Sequence, residues 1–291
     1  MRYRVTHETV YEYEELVSIA HNELRLEPRE TERQERLGTA LRIEPMPRAT
    51  TTERDYFGNP AHFFTVEDPH HRMVLVAQSE LEIRAPAEGQ PETPAWNELR
   101  ESLRGELAAT GLAAFEMCFP SPLVPLAREF ADYGAPFFAT GRPILDGVLD
   151  LTHRIHTDFA YRPGATSVTT PVRDVLAARE GVCQDFAHLE LACLRSLGLP
   201  ARYVSGYLHT QPAEGRERLV GADASHAWVS VYCGPAGWID VDPTNDLVVR
   251  DQHLTLAWGR DYGDVSPIKG VILGGGGHTV EVGVDVALIA S

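Results

Sequence analysis

The period of the hydrophobic pattern changes near residue 85, and that change limits what this chain can fold into. Before it, apolar and polar residues alternate. Tyr3, Val5, Thr9, Tyr11 and Tyr13 share one face, with Arg4, Thr6, Glu8 and Glu12 on the other, as in a strand with one face buried. The alternation returns at Leu24 and Leu26, at Leu41 and Ile43, and at Leu75, Ala77, Leu81 and Ile83, with the breakers Gly58-Asn59-Pro60 and Asp68-Pro69 between runs. Residues 1–85 therefore read as an antiparallel β-rich N-terminal domain.

Residues 85–94, APAEGQPETP, have the composition of a linker. Beyond them the spacing becomes helical. Pro94 suits a helix start, and Trp96, Leu99, Leu103 and Leu107 fall on one side of a helix. A second helix is expected after Ser121-Pro122, and a third after Pro143, with Ile144, Val148, Leu151 and Ile155 aligned. Residues 86–158 thus form a linker and helical segment leading into a core at 159–250.

In that core, an extended piece ends at the Pro163-Gly164 turn, and Thr170-Pro171 reads as the N-cap and first residue of a short helix. Gly181-Val182-Cys183 opens a helix that Gly198 and Pro200 close. Strands are expected at 202–208, 227–233 and 238–242. Residues 251–291 form a C-terminal β segment in which Val280, Val282, Val284, Val286 and Leu288 share a face. Gly274–Gly277 lacks the Lys-Ser/Thr of a phosphate loop and reads as a hairpin turn.

Composition removes several functions. With 42 acidic against 26 basic side chains and a formal charge of −16, the surface opposes a nucleic-acid backbone, which needs clustered Lys and Arg. No run approaches the roughly 18 apolar residues of a membrane span, and the N-terminus lacks the apolar stretch of a signal peptide. The expectation is a cytoplasmic protein with no membrane partner. Cys118, Cys183, Cys193 and Cys233 include no C-x-x-C pair, which fits neither a disulfide framework nor a zinc site, and no H-E-x-x-H is present. No metal and no cofactor is expected.

Cys183 stands apart from the other cysteines. A thiol attacks carbonyls as thiolate, and a helix N-terminus stabilises that anion and the oxyanion that follows. A histidine from elsewhere in the fold must serve as its base. His226 begins the strand HAWVSVY, and the turn at Gly237 brings WIDVD back beside it, so that a carboxylate can orient the imidazole. Asp240 and Asp242 lie on the same face of their strand, and spacing alone does not separate them. His188, five residues after Cys183 on one helix, points roughly 140° away from it and reads as packing. Asp185 in the first turn reads as a cap.

The segments GVCQDFAHL, LGLPARYVSGY, SHAWVSVY and GWIDVDPTND, in that order over residues 159–246, resemble the core of the transglutaminase-like superfamily. The first 85 residues and the stretch AWGRDYGDVSPIKGV resemble the flanking regions of its bacterial members. The resemblance implies an α+β, papain-like core with a Cys183, His226, Asp242 triad, and it favours Asp242 over Asp240, which is left as a solvated charge. It also suggests Tyr161 as a further oxyanion donor, against a plain packing role. The expected reaction is cysteine-dependent acyl transfer on peptide or isopeptide amides of a protein or peptide substrate, slightly favouring hydrolysis. A primary amine in place of water would make the enzyme a transglutaminase, and a non-catalytic scaffold is the alternative from another class.

Overall fold

The computed structural model describes residues 1–86, 89–105, 109–209 and 225–290. Its first sheet is organised by one strand, β1 (Arg2–Leu24), whose alternating side chains bury Tyr3, Val5, His7, Thr9 and Tyr13. The other N-terminal strands are β2 (Gln34–Glu44), β3 (Ala49–Arg54), β4 (Pro60–Val66) and β5 (His70–Ile83), giving the order β2-β5-β1-β4-β3. Along β1, residues 2–12 pair with β5 and residues 20–24 with β4, all antiparallel. The break at Asp68-Pro69 therefore separates two partners of one strand.

Helices follow at α1 (Trp96–Gly105), α2 (Ala109–Glu116), α3 (Arg128–Gly134) and α4 (Ile144–Asp158). Trp96, Leu99 and Leu103 are buried as their spacing requires, while Leu107 lies outside the described residues. In α2, ATGLAAFE offers no clear apolar stripe, and the residue pattern does not announce it. The short parallel strands β6 (Ala160–Tyr161) and β7 (Glu180–Gly181) bracket α5 (Val172–Ala178). This helix starts one residue later than expected. Pro171 takes the N-cap position without a side-chain bond, and the Thr170 hydroxyl instead accepts the Ser167 N–H at 2.9 Å.

The second sheet lies against α6 (Cys183–Ser196). It contains β8 (Ala201–Leu208), β9 (Ser225–Tyr232), β10 (Trp238–Asp242), β11 (Leu247–Val248) and β12 (His253–Gly259), in the order β11-β10-β9-β8-β12. A short helix, α7 (Tyr262–Val265), then leads to β13 (Ile268–Gly274) and β14 (His278–Ala290). Both of these return to β1, β13 against residues 17–24 and β14 against residues 2–13. The glycine run between them is therefore an in-line interruption opposite residues 14–16 and makes no hairpin. Glu14 N–H donates to Gly277 and Glu15 N–H to Gly275 across the break. On β14 only Val284 and Val286 of the alternating face are buried, and Val280, Val282 and Leu288 remain exposed.

The two sheets share one apolar core, in which Tyr3, Val5, Leu81, Ile83, Val284 and Val286 join Phe186, Leu189, Leu191 and Leu194 of α6. Polar groups fix the contact. Edge strand β12 has its Thr255 N–H and C=O bonded by the Gln34 carboxamide at 2.9 and 2.7 Å. Asn59 does the same for Trp258 at 3.0 and 2.8 Å. Two side-chain amides from the N-terminal sheet thereby act as a missing strand on an edge that would otherwise carry open donors and acceptors. Among the described residues, no helix is long and apolar enough to cross a membrane.

Candidate active site

Cys183 is the first residue of α6, where the backbone N–H groups have no intrahelical acceptor. The preceding turn is held by Asp185, whose Oδ2 accepts the Val182 N–H at 2.8 Å and the Thr166 hydroxyl at 2.6 Å. Burial pushes the Asp185 carboxyl up and these two bonds oppose it. Gly181 is required for this closeness, since a Cβ there would stand 2.7 Å from Asp185 Oδ2. Asp185 is thus the cap that the sequence suggests, turned back on the loop before the helix.

The four cysteines are free. Cys193 and Cys233 are fully buried, and Cys118 is partly so. Burial drives the thiol of Cys193 far up and those of Cys118 and Cys233 up to about 12, which keeps all three protonated and inert. Cys183 is partly exposed, and its influence raises the pKa of the His226 imidazole, which places the two groups close together.

His226 enters from β9, opposite Gly206 on β8. A side chain at Gly206 would collide with the Leu254 carbonyl and stand 2.5 Å from the Trp228 ring, so only glycine lets the strands close behind the imidazole. His226 Nε2 donates to Asp242 Oδ2 at 2.7 Å, leaving Nδ1 as the nitrogen available to the thiol. Burial draws the imidazole's pKa down, but the bonds to Asp242 and Cys183 outweigh it and raise it to about 10. The ring is held as imidazolium beside the sulfur.

The register of the β9–β10 pair separates the two aspartates. Val241 lies opposite Val229 and Asp240 opposite Ser230, so each tie to β9 runs diagonally. His226 reaches Asp242, and the Trp228 indole N–H reaches Asp240 Oδ2 at 3.0 Å. Asp240 is therefore engaged in a specific bond, where a freely solvated charge is expected from sequence. Asp242 is fully buried. Its Oδ1 accepts the Thr244 and Asn245 N–H groups at 2.9 and 3.3 Å, and its Oδ2 also accepts Asn245 Nδ2 at 2.6 Å and His253 Nε2 at 3.0 Å. Burial alone would raise this carboxyl, yet the donors hold it well below the usual carboxylate range.

Tyr161 stands near the thiol, half exposed, with its ring edge-on to Phe186 at 6.3 Å. Burial, then the proximity of Cys183, pushes its hydroxyl up, so the phenol stays protonated as a donor must. His188 is buried, accepts the Tyr262 N–H at 3.2 Å and packs on Tyr203, in keeping with a packing role. Sequence reasoning misses three neighbours. Tyr203 lies buried beside Cys183. Asn245 is three residues past Asp242 in DPTND, and that position is its only signal in the sequence; His253, the first residue of β12, lies outside the quoted motifs and has none. His226, Asp242 and His253 also form a grouping whose donor atoms lie within 4.8 Å of one another, close enough to hold a metal ion. The hydrogen bonds among those same atoms already account for their convergence.

Comparison with known proteins agrees with this architecture. Residues 3–82 match the bacterial transglutaminase-like N-terminal region and residues 132–243 match the transglutaminase-like superfamily. The chain belongs to the transglutaminase-like superfamily. An uncharacterized protein of Mycobacterium tuberculosis is 41% identical over 98% of this chain and 92% of its own length. A protein-glutamine gamma-glutamyltransferase of Pseudomonas aeruginosa is 34% identical over 47% of this chain, which spans 21% of that protein. The fold of this transglutaminase-like chain also matches the crystal structure of a Cytophaga hutchinsonii protein proposed to be a cysteine protease. That match has a TM-score of 0.77 and 20% identity, covering 100% of this chain and 91% of the other.

Proposed function

We propose that this protein is a cysteine-dependent acyl-transfer enzyme acting on peptide or isopeptide amides, with water as its preferred acceptor. The observation that carries the reading is the place of His226, hydrogen-bonded to Asp242 and close enough to Cys183, at the start of α6, for the thiol to raise its pKa. In this reading the Cys183 thiolate attacks the amide carbonyl, and the N-terminal N–H groups of α6 and the Tyr161 hydroxyl receive the developing oxyanion. His226 protonates the leaving amine as the tetrahedral intermediate collapses to a thioester. It then takes a proton from the incoming water, which releases the acid and restores the thiolate and imidazolium. Asp242 holds the tautomer and stabilises the imidazolium.

A primary amine in the second step would give transamidation, and the Pseudomonas relative's name supports that reading for the shared 47% of the chain. Incubating the protein with a panel of peptide and isopeptide amides, with and without a primary amine, and weighing the products separates the two. Hydrolysis predicts an acid in both mixtures, and transamidation an amine adduct. Identical product from Cys183→Ala would contradict both.

A further inference from the structure

Three donors converge on a single oxygen of the candidate triad. Asp242 Oδ2 receives His226 Nε2 at 2.7 Å, Asn245 Nδ2 at 2.6 Å and His253 Nε2 at 3.0 Å. A carboxylate oxygen that accepts an added bond has less charge left for its other donors. The second histidine therefore acts on the first through their shared acceptor.

His253 is built to donate there and nowhere else. It is 5% exposed, and its Nδ1 is buried without a hydrogen-bond partner, so Nε2, facing the carboxylate, carries the proton. The ring is oriented by packing, edge-on to Trp228 with centroids 5.1 Å apart at 84°. Its backbone is the start of β12, opposite Leu208 on β8. The outer edge of β12 is held by Gln34 and Asn59. The N-terminal sheet thereby helps to place a histidine against the triad aspartate.

We infer that His253 is a positioning residue of the triad, which draws charge from Asp242 Oδ2 and so sets how tightly that carboxylate holds the His226 imidazolium. This rests on the proposed roles of Cys183, His226 and Asp242. An aspartate that gripped His226 harder would leave it a weaker acid towards the departing amine. The titratable groups facing this carboxylate are His226 from β9, His253 from β12 and, from α6, Glu190 together with Cys183 acting through His226. Only His253 can be removed without touching the nucleophile, its base or the nucleophile's helix.

The test needs no substrate. The rate of Cys183 alkylation by iodoacetamide is followed from pH 4 to 11 in the full chain, in His253→Phe, which keeps a ring and loses the donor, and in His253→Gln, which keeps an amide donor. The parent should show two inflections, the alkaline one as His226 loses its proton. In His253→Phe that alkaline inflection should move up by about one pH unit, and in His253→Gln it should return towards the parental position. An alkaline inflection unmoved in folded His253→Phe would overturn the inference while leaving the triad intact. Should His253→Phe fail to fold, a His253→Gln inflection displaced from the parent by as much as one unit would overturn it. A parental profile with one ordinary thiol inflection would overturn the triad reading, and this inference with it.

Discussion

The Trp228 indole donates to Asp240 at 3.0 Å, one diagonal step along the hairpin from the bond between His226 and Asp242. Each aspartate thus has its own partner on β9, and their roles should divide accordingly. Asp240→Asn preserves an acceptor for the indole and should leave turnover within a few-fold of the parent. Asp242→Asn changes the tautomer presented to Cys183 and should lower turnover on the order of 10³-fold or more. Steady-state kinetics on one amide substrate compares the two variants directly, and equal losses would sink the assignment.

Glu190 lies on α6, fully buried, with Oε1 accepting the Thr152 hydroxyl at 2.7 Å and Oε2 without a partner. Burial raises its pKa from 4.5 to about 8. The folded chain keeps this proton over a range in which the unfolded chain has released it, so the contribution of Glu190 to stability is full below about pH 4.5 and is lost as pH rises through about 8. Glu190→Gln abolishes the titration. Its stability relative to the parent should climb with pH across that window, at up to about 1.4 kcal/mol per pH unit. Urea unfolding at a series of pH values measures this, and a pH-independent difference would rule it out.

The carboxamides of Gln34 and Asn59 each make a reciprocal pair of bonds with the edge of β12. Gln34→Leu or Asn59→Leu strands a backbone donor and acceptor at the boundary between the sheets, and each should cost about 1–3 kcal/mol. Denaturant midpoints with unchanged slope would report it. A loss below about 0.5 kcal/mol would mean that water replaces the amides without penalty.

The strands and helix α6 are legible in the sequence because each depends on local periodicity and punctuation. Tyr3 and Val5 alternate with Arg4, and Gly181 precedes Cys183 at a helix start. The same holds for Cys183 and His226, which sit in recognisable motifs. What stays hidden depends on long-range register. Nothing local shows that Gly274–Gly277 joins two strands along β1, or that Asp240 belongs to Trp228. His253 is invisible for the same reason, since only the pairing of β12 with β8 brings it to Asp242. Thr170 fails as a cap because its hydroxyl is taken by Ser167, a choice between two local bonds that composition does not make.

The central claim is that Cys183 is a nucleophile activated by His226. Its most direct test is site-resolved mass spectrometry after brief exposure of the folded protein to a peptide-amide electrophile at neutral pH. The account predicts one adduct per chain, on Cys183, with Cys118, Cys193 and Cys233 unmodified and at least a tenfold slower reaction in folded His226→Gln. Labelling spread evenly over the cysteines, or a Cys183 rate unchanged in His226→Gln, would contradict it.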